Sequence, residues 1–185
     1  MKKVYCVLFV LLALFSSCKS TSGNQKKALM VIHMQVKFLG DGAERPVVNS
    51  AEDLISDVNV IIEDFYAAGY KIIYHKITNR DGISAPEIHP DLKIVPKENP
   101  VIFTTNSSNK FVNKDFEAYL QKNKIDELYF VGLAGEECVY ITADEALYNN
   151  YKVNIIENGL GTFNYKALEM MIGTLKNKGA NVLTH

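Results

Sequence analysis

Residues 129–147 constrain the fold more than any other stretch. An apolar, β-favouring run at 129–133 passes through the small residues Gly132, Ala134 and Gly135 into an apolar pattern at helical spacing. A run of that kind suits a strand buried on both faces, as in parallel sheets. Val139, Thr142, Ala143, Ala146 and Leu147 then fall on one helix face. Strand, sharp turn and helix in succession imply a β–α unit with a right-handed crossover. Cys138 lies in the first helical turn, behind Glu136 and Glu137. Free N–H groups there favour a thiolate and can hold an oxyanion. The carboxyl ends of parallel strands are also where ligands bind. The two glutamates oppose this, repelling both a thiolate and an anionic substrate. A small cysteine packed beneath a turn accounts for the stretch equally well.

The same alternation extends along the chain. Residues 28–34, 71–77, 100–104, 127–133, 152–157 and 180–184 read as strands. Residues 48–68, 111–122, 138–149 and 164–178 read as helices. Asn49 or Ser50 and Asn164 serve as caps, with Gly69 and Gly179 as stops. This predicts an α/β fold, a three-layer doubly wound parallel sheet. Residues 36–45 and 78–97 are loops; the second carries Pro86, Pro90 and Pro96 and is long enough to cover a site. A length of 185 residues favours one domain, and 48% hydrophobic residues supply a full core. A formal net charge of -1 offers no basic patch for nucleic acid, so no nucleic-acid partner is expected.

The N-terminus has its own pattern. Lys2 and Lys3 precede an apolar run over 4–15 and then Ser16-Ser17-Cys18. This reads as a lipoprotein signal over 1–17, lipidation at Cys18, a polar tether over 18–27 and a folded domain over 28–185. The apolar run is short for a membrane span. The residues before Cys18 resemble the bacterial lipobox, with Phe15 where leucine is usual; an ordinary cleaved signal is the alternative. The expectation is a protein of the bacterial cell envelope, periplasm-facing, with a membrane as partner through its lipid. Cys138 is then the one thiol left in the domain. A lone thiol in an oxidising compartment is a liability unless buried or used.

Three segments together resemble the isochorismatase-like cysteine hydrolases, which include nicotinamidases and other small amidases. Residues 28–35, Ala-Leu-Met-Val-Ile-His-Met-Gln, are similar to the family's first strand, which usually ends Asp-Met-Gln. Residues 111–120 are similar to its Phe-x-x-Thr-x-Leu helix start. Residues 132–139, Gly-Leu-Ala-Gly-Glu-Glu-Cys-Val, are similar to the nucleophile turn, usually Gly-x-x-Thr-Asp-x-Cys-Val. The resemblance spans residues 27–185. It implies a six-stranded parallel sheet in the order 3-2-1-4-5-6. It also implies a cysteine nucleophile with an aspartate and a lysine, a cis bond at Ala134–Gly135, and self-association into a homo-oligomer.

The departures bear on chemistry. His33 stands at the aspartate position, and Thr105 stands six residues before Phe111, where the lysine is usual. Gly135-Glu136 replaces Thr-Asp. The expected site therefore has Cys138 as nucleophile, His33 as base and Thr105 as a hydrogen-bonding substitute for the lysine. Ala134, Gly135 and Cys138 form the oxyanion turn. Gln35, Phe38 and Asn79 rim the site as substrate contacts, with ordinary loop structure as the alternative. His75 lines the pocket edge or fills the core, and His89 is solvated. Asp81 and His89 lack metal-ligand spacing and no Asp-x-His motif is present, so neither metal nor cofactor is expected. The expected function is hydrolysis of a small amide or related C–N bond, with a small-molecule substrate. The alternatives are a catalytically silent relative that binds a ligand or protein, and a redox thiol, which lacks a resolving cysteine.

Overall fold

The computed structural model describes residues 26–41, 43, 45–79 and 84–185. The signal, Cys18 and Asp81 lie outside the described residues, as does all of the tether but Lys26 and Lys27. Six strands form one sheet: β1 (Lys27–Ile32), β2 (Lys71–Ile77), β3 (Val101–Thr105), β4 (Glu127–Gly132), β5 (Lys152–Leu160) and β6 (Asn181–Leu183). Every pairing is parallel and the order is 3-2-1-4-5-6, the doubly wound sheet expected from the alternation.

The strand residues alternate between two cores. Leu29, Val31, Ile72, Tyr74 and Val131 pack with Leu54, Val58, Ile61 and Ile62 of helix α2 (Ala51–Ala67). Met30, Ile32, Ile73, Leu128 and Phe130 face the other way. There they meet helices α3 (Lys114–Lys122), α4 (Tyr140–Tyr148) and α5 (Tyr165–Asn177) through Phe116, Leu120, Ala143, Ala146, Leu168 and Leu175. Burial of such side chains contributes on the order of 1.5–3 kcal/mol each. The caps are those the sequence indicates: Ser50 accepts from Asp53 N, and Asn164 from Ala167 N. A third is Asn113, which accepts from Asp115 N and Phe116 N and starts α3 later than the expected residue 111. Residues 36–45, expected as loop, include one helical turn, α1 (Val36–Leu39). Three of its four residues are apolar, too few for the periodicity to register.

Strand order reverses between β1 and β4, where ligands collect in such sheets. Ile32 pairs with both Gly132 and His75. Gly132 has φ +109, and a Cβ on it would meet the Ile32 carbonyl oxygen. Only glycine suits that backbone and that approach. The peptide between Leu133 and Ala134 is cis; the resemblance implied Ala134–Gly135, one bond later. The chain beyond β2 returns to this edge. Gln35 and Ile88 form an antiparallel bridge, Val36 N donates to Glu87 O at 3.0 Å, and His89 N donates to Met34 O at 2.9 Å. The Pro-rich stretch thus walls the exit of β1. Gly132→Ala is expected to lose at least about 3 kcal/mol of stability in urea titration, through both φ strain and the clash; a loss under about 1 kcal/mol would show that the β1–β4 contact yields.

Candidate active site

Three elements bring chemistry to the switch point. Cys138 sits in a π-type turn, Gly135–Val139, between β4 and α4. His33 follows β1 with φ 53. Lys110 opens a short 3-10 turn, Lys110–Val112, after β3. The Lys110 residue is 0% exposed, His33 1%, His75 on β2 2% and Cys138 8%. Among the described residues Lys110 is the one buried lysine.

Lys110 was not among the sequence candidates, and it changes the site. Its ammonium donates to Ser107 O at 2.6 Å, and Cys138 acts to raise its pKa. Thr105, expected as the lysine's substitute, has a different task. Its Oγ1 accepts from Ser107 N at 3.1 Å. It thereby shapes the turn that presents the Ser107 carbonyl. The turn is also fastened to the nucleophile segment. Thr142 Oγ1 lies 2.7 Å from Cys138 O and 3.1 Å from Ser108 O, sharing one proton between them. Asn109 Nδ2 donates to Glu145 Oε2 at 3.2 Å. Counting six residues back from Phe111 lands on the end of β3 and misses the lysine next to the phenylalanine. The available signal was that residues 105–110 contain one basic side chain, set against a buried aromatic.

His33 is not paired with the thiol. Among the described residues no hydrogen bond joins its ring to Cys138, and its Nε2 has no partner. Burial, then Lys110, His75 and Lys37, push its pKa well below the ordinary value. His75 is lowered likewise, by burial and then Lys110, and both its ring nitrogens are unpartnered between Phe103 and Phe116. Each unpaired buried nitrogen costs on the order of 1–3 kcal/mol. Both rings are therefore held neutral, and the expected hydrogen bond between His33 and Cys138 is not made among the described residues. Burial pulls Lys110 down to about 8, while Cys138 acts to raise it. No carboxylate acts on Lys110 or His33 among the described residues.

The remaining candidates divide between rim and scaffold. Gly135 N donates to Gly161 O at 2.9 Å, which removes it as an oxyanion donor and leaves Ala134 and Cys138. A Cβ at Gly135 would meet Leu168 Cδ1 of α5, so a threonine there requires that side chain to shift. Glu136 accepts from Thr162 Oγ1 at 2.9 Å and Phe163 N at 2.8 Å, tying the turn to the end of β5. Gln35 is 0% exposed. Its amide spans the backbone of Ile77 and Pro86 at 2.7–3.1 Å, a scaffold role in place of substrate contact. Asn79 is exposed and bonds Ser84. Phe38 stacks on His33 at 6.1 Å and lies tilted 6.4 Å from Phe163, and so rims the site. His89, expected to be solvated, is half-buried. No three His, Cys, Asp or Glu side chains among the described residues converge as metal ligands, so the donor set does not fit a metal.

The family model described as the isochorismatase domain matches residues 27–185. Solved structures with the same fold include an isochorismatase-like hydrolase from Alkaliphilus metalliredigens, at 24% identity and TM-score 0.74 over 86% of this chain and 93% of that one. A nicotinamidase from Bacillus subtilis matches at 21% identity and TM-score 0.72, over 85% and 98%. A cysteine hydrolase from Pseudomonas syringae pv. phaseolicola matches at 18% identity and TM-score 0.78, over 87% and 89%. A search of curated proteins gave no significant match.

Burial of Lys110 has a thermodynamic consequence. Its folded pKa of about 8 lies below the ordinary 10.5. Between those values the unfolded chain holds the proton more tightly, so stability rises with pH across that window. Lys110→Met removes the penalty and retains the volume. It is expected to raise stability at pH 7 by about 2 kcal/mol and to abolish the rise between pH 8 and 10. Urea denaturation at pH 7 and 9.5 measures both, and a variant less stable at pH 7 contradicts this electrostatics.

Proposed function

The chain belongs to the isochorismatase family, and from that premise we propose that it is a cysteine hydrolase cleaving a small amide or related C–N bond. Cys138 forms the acyl-enzyme, and Lys110 takes and returns the proton. The observation that carries this reading is a fully buried lysine whose pKa burial pulls down to about 8 and Cys138 acts to raise. An amine at about 8 is matched to proton transfer near neutral pH, where a meaningful fraction is the free base.

In the reaction, the neutral Lys110 amine accepts the proton of Cys138 Sγ. The sulfur attacks the substrate carbonyl, and the oxyanion lies against the turn's remaining N–H groups, those of Ala134 and Cys138. The Lys110 ammonium returns its proton to the leaving nitrogen as the C–N bond breaks, leaving a thioester. A water that gives a proton to Lys110 attacks the thioester, and the acid departs as the thiol regains its proton.

We further propose that the protein works at the cell envelope on a lipid carried by Cys18. β1 opens at Lys27 on the edge of the sheet opposite Cys138: Lys27 pairs with Glu127, whereas Ile32 pairs with Gly132. A tether ending at Lys27 therefore joins the domain on the far side from the site.

The test is alkylation of Cys138 by iodoacetamide at pH 7, read by peptide mass mapping. Lys110→Met is expected to slow it at least tenfold and His33→Asn less than threefold. An equal loss in both variants would return the proton to His33. No loss in either, with slow alkylation throughout, would leave a silent ligand-binding relative.

A further inference from the structure

Resting on the lipid proposed at Cys18, we propose that the edge of the sheet where the strands begin is a docking surface for an anionic lipid bilayer, which turns the candidate site away from the membrane. The formal net charge of -1 conceals a separation of charge. Lys26 precedes β1, and Lys71 and Lys152 open β2 and β5. Lys122 and Lys176 lie in the last turns of α3 and α5, and Lys124 lies between α3 and β4. The register sets the strand starts in one row: Lys71 pairs with Ala28, and Glu127 pairs with both Lys27 and Lys152. Ile125 N donates to Leu120 O and Tyr151 N to Ala146 O, so α3 and α4 end beside that row. All six lysines are exposed, and none forms an ion pair among the described residues. The helix starts, at the other edge, are acidic: Glu52 and Asp53 in α2, Asp115 and Glu117 in α3.

A cation at a helix C-terminus is favourable in itself, and that accounts for Lys122 and Lys176. Strands carry little net dipole, so Lys26, Lys71 and Lys152 gain nothing of the kind and call for another anion. The carboxylates of this edge are mostly engaged. Glu127 pairs with Lys27 and Asp144 with Lys178, and Asp64 lies 3.4 Å from His185. Asp126 remains, with Glu98 next to Lys97 in the chain. Tyr148 closes α4 on the same edge and is 83% exposed, the most exposed large hydrophobic side chain among the described residues. Tyrosine favours the headgroup level of a bilayer, where its ring and its hydroxyl are both accommodated. The chain leading to the edge extends the positive charge: residues 18–26 include Lys19 and Lys26 and no carboxylate. The eight residue steps from Cys18 to Lys26 span at most about 28 Å, so a lipid on Cys18 delivers this edge to the headgroups. Each lysine attracts anionic lipid only within about a Debye length. The anchor supplies the effective concentration that lets such weak contacts add up.

The test is lysine footprinting of the whole protein as purified from cells, by amine acetylation and peptide mass mapping. Two vesicles are compared: phosphatidylcholine alone, and phosphatidylcholine with phosphatidylglycerol in equal parts. Flotation reports the anchor, and acetylation reports the face. The protein is expected to float with both. On the anionic vesicles Lys71, Lys124 and Lys152 should be acetylated at least fivefold more slowly than on the neutral ones. Lys114 and Lys166, in the first turns of α3 and α5, should stay within twofold. High salt should abolish the difference. The triple variant Lys71→Gln, Lys124→Gln, Lys152→Gln should float as before on neutral vesicles and leave Lys26, Lys122 and Lys176 unprotected on anionic ones. Flotation with both vesicles and equal acetylation on both overturns the docking surface and leaves the anchor standing. Flotation with the anionic vesicles alone, with the edge protected, supports the surface and overturns the lipid at Cys18. Slowing of all lysines alike overturns the surface, as does protection of the edge without vesicles, which would assign that face to a second copy of the chain.

Discussion

A lysine ammonium with no contact with solvent must be held by something, and here the Ser107 carbonyl accepts its hydrogen bond, while Cys138 acts to raise its pKa against the pull of burial. Moving a cation out of water costs several kcal/mol even after relaxation. One carbonyl and one sulfur do not offset that in full, which is why Lys110 gives up its proton more readily than an ordinary lysine. The turn at 105–109, the hydroxyl shared between Cys138 and Ser108, and the Asn109–Glu145 bond all fix where the ammonium stands. Stability lost to that burial leaves an amine with a pKa of about 8, a use of strain common at functional sites.

The family pattern places aspartate, lysine and cysteine at three strand ends. Here Thr105 ends β3, and the buried lysine stands on the first residue of a 3-10 turn five residues further on. Its long, flexible stem tolerates such a shift of backbone origin where a short side chain would not. Replacement of the aspartate by His33 then alters the charge of the site. An acid beside Lys110 would have kept it firmly protonated; two neutral imidazoles and a thiol let it titrate near neutral pH. Three unpartnered imidazole nitrogens remain in the same buried region.

Much of the fold was legible in the sequence because its signals are local and periodic. β2 runs over Lys71–Ile77 as read, and Ser50, Asn164 and Gly69 mark helix ends by hydrogen bonding or positive φ. The sheet order came through the resemblance. The geometry of the candidate site was less legible, since it depends on which side chains meet after loops close. Thr105 sits where a lysine is counted, but its hydroxyl serves its own turn. Gly135 looks like an oxyanion donor until Gly161, far along the chain, takes its N–H. Gln35 looks like a rim residue until its amide is found binding Ile77 and Pro86. Each of these outcomes is set by a partner distant in sequence, or by a turn that composition does not encode.

The central claim is that one buried amine shares its proton with one thiol. Nitrogen- and carbon-detected NMR titration of the lysine side chains tests it most directly. The account requires one lysine with a midpoint near 8, absent in Lys110→Met and displaced downward in Cys138→Ala, where the charge that acts to raise it is gone. Lysines that all titrate above about 10, or a low midpoint indifferent to loss of Cys138, would contradict it.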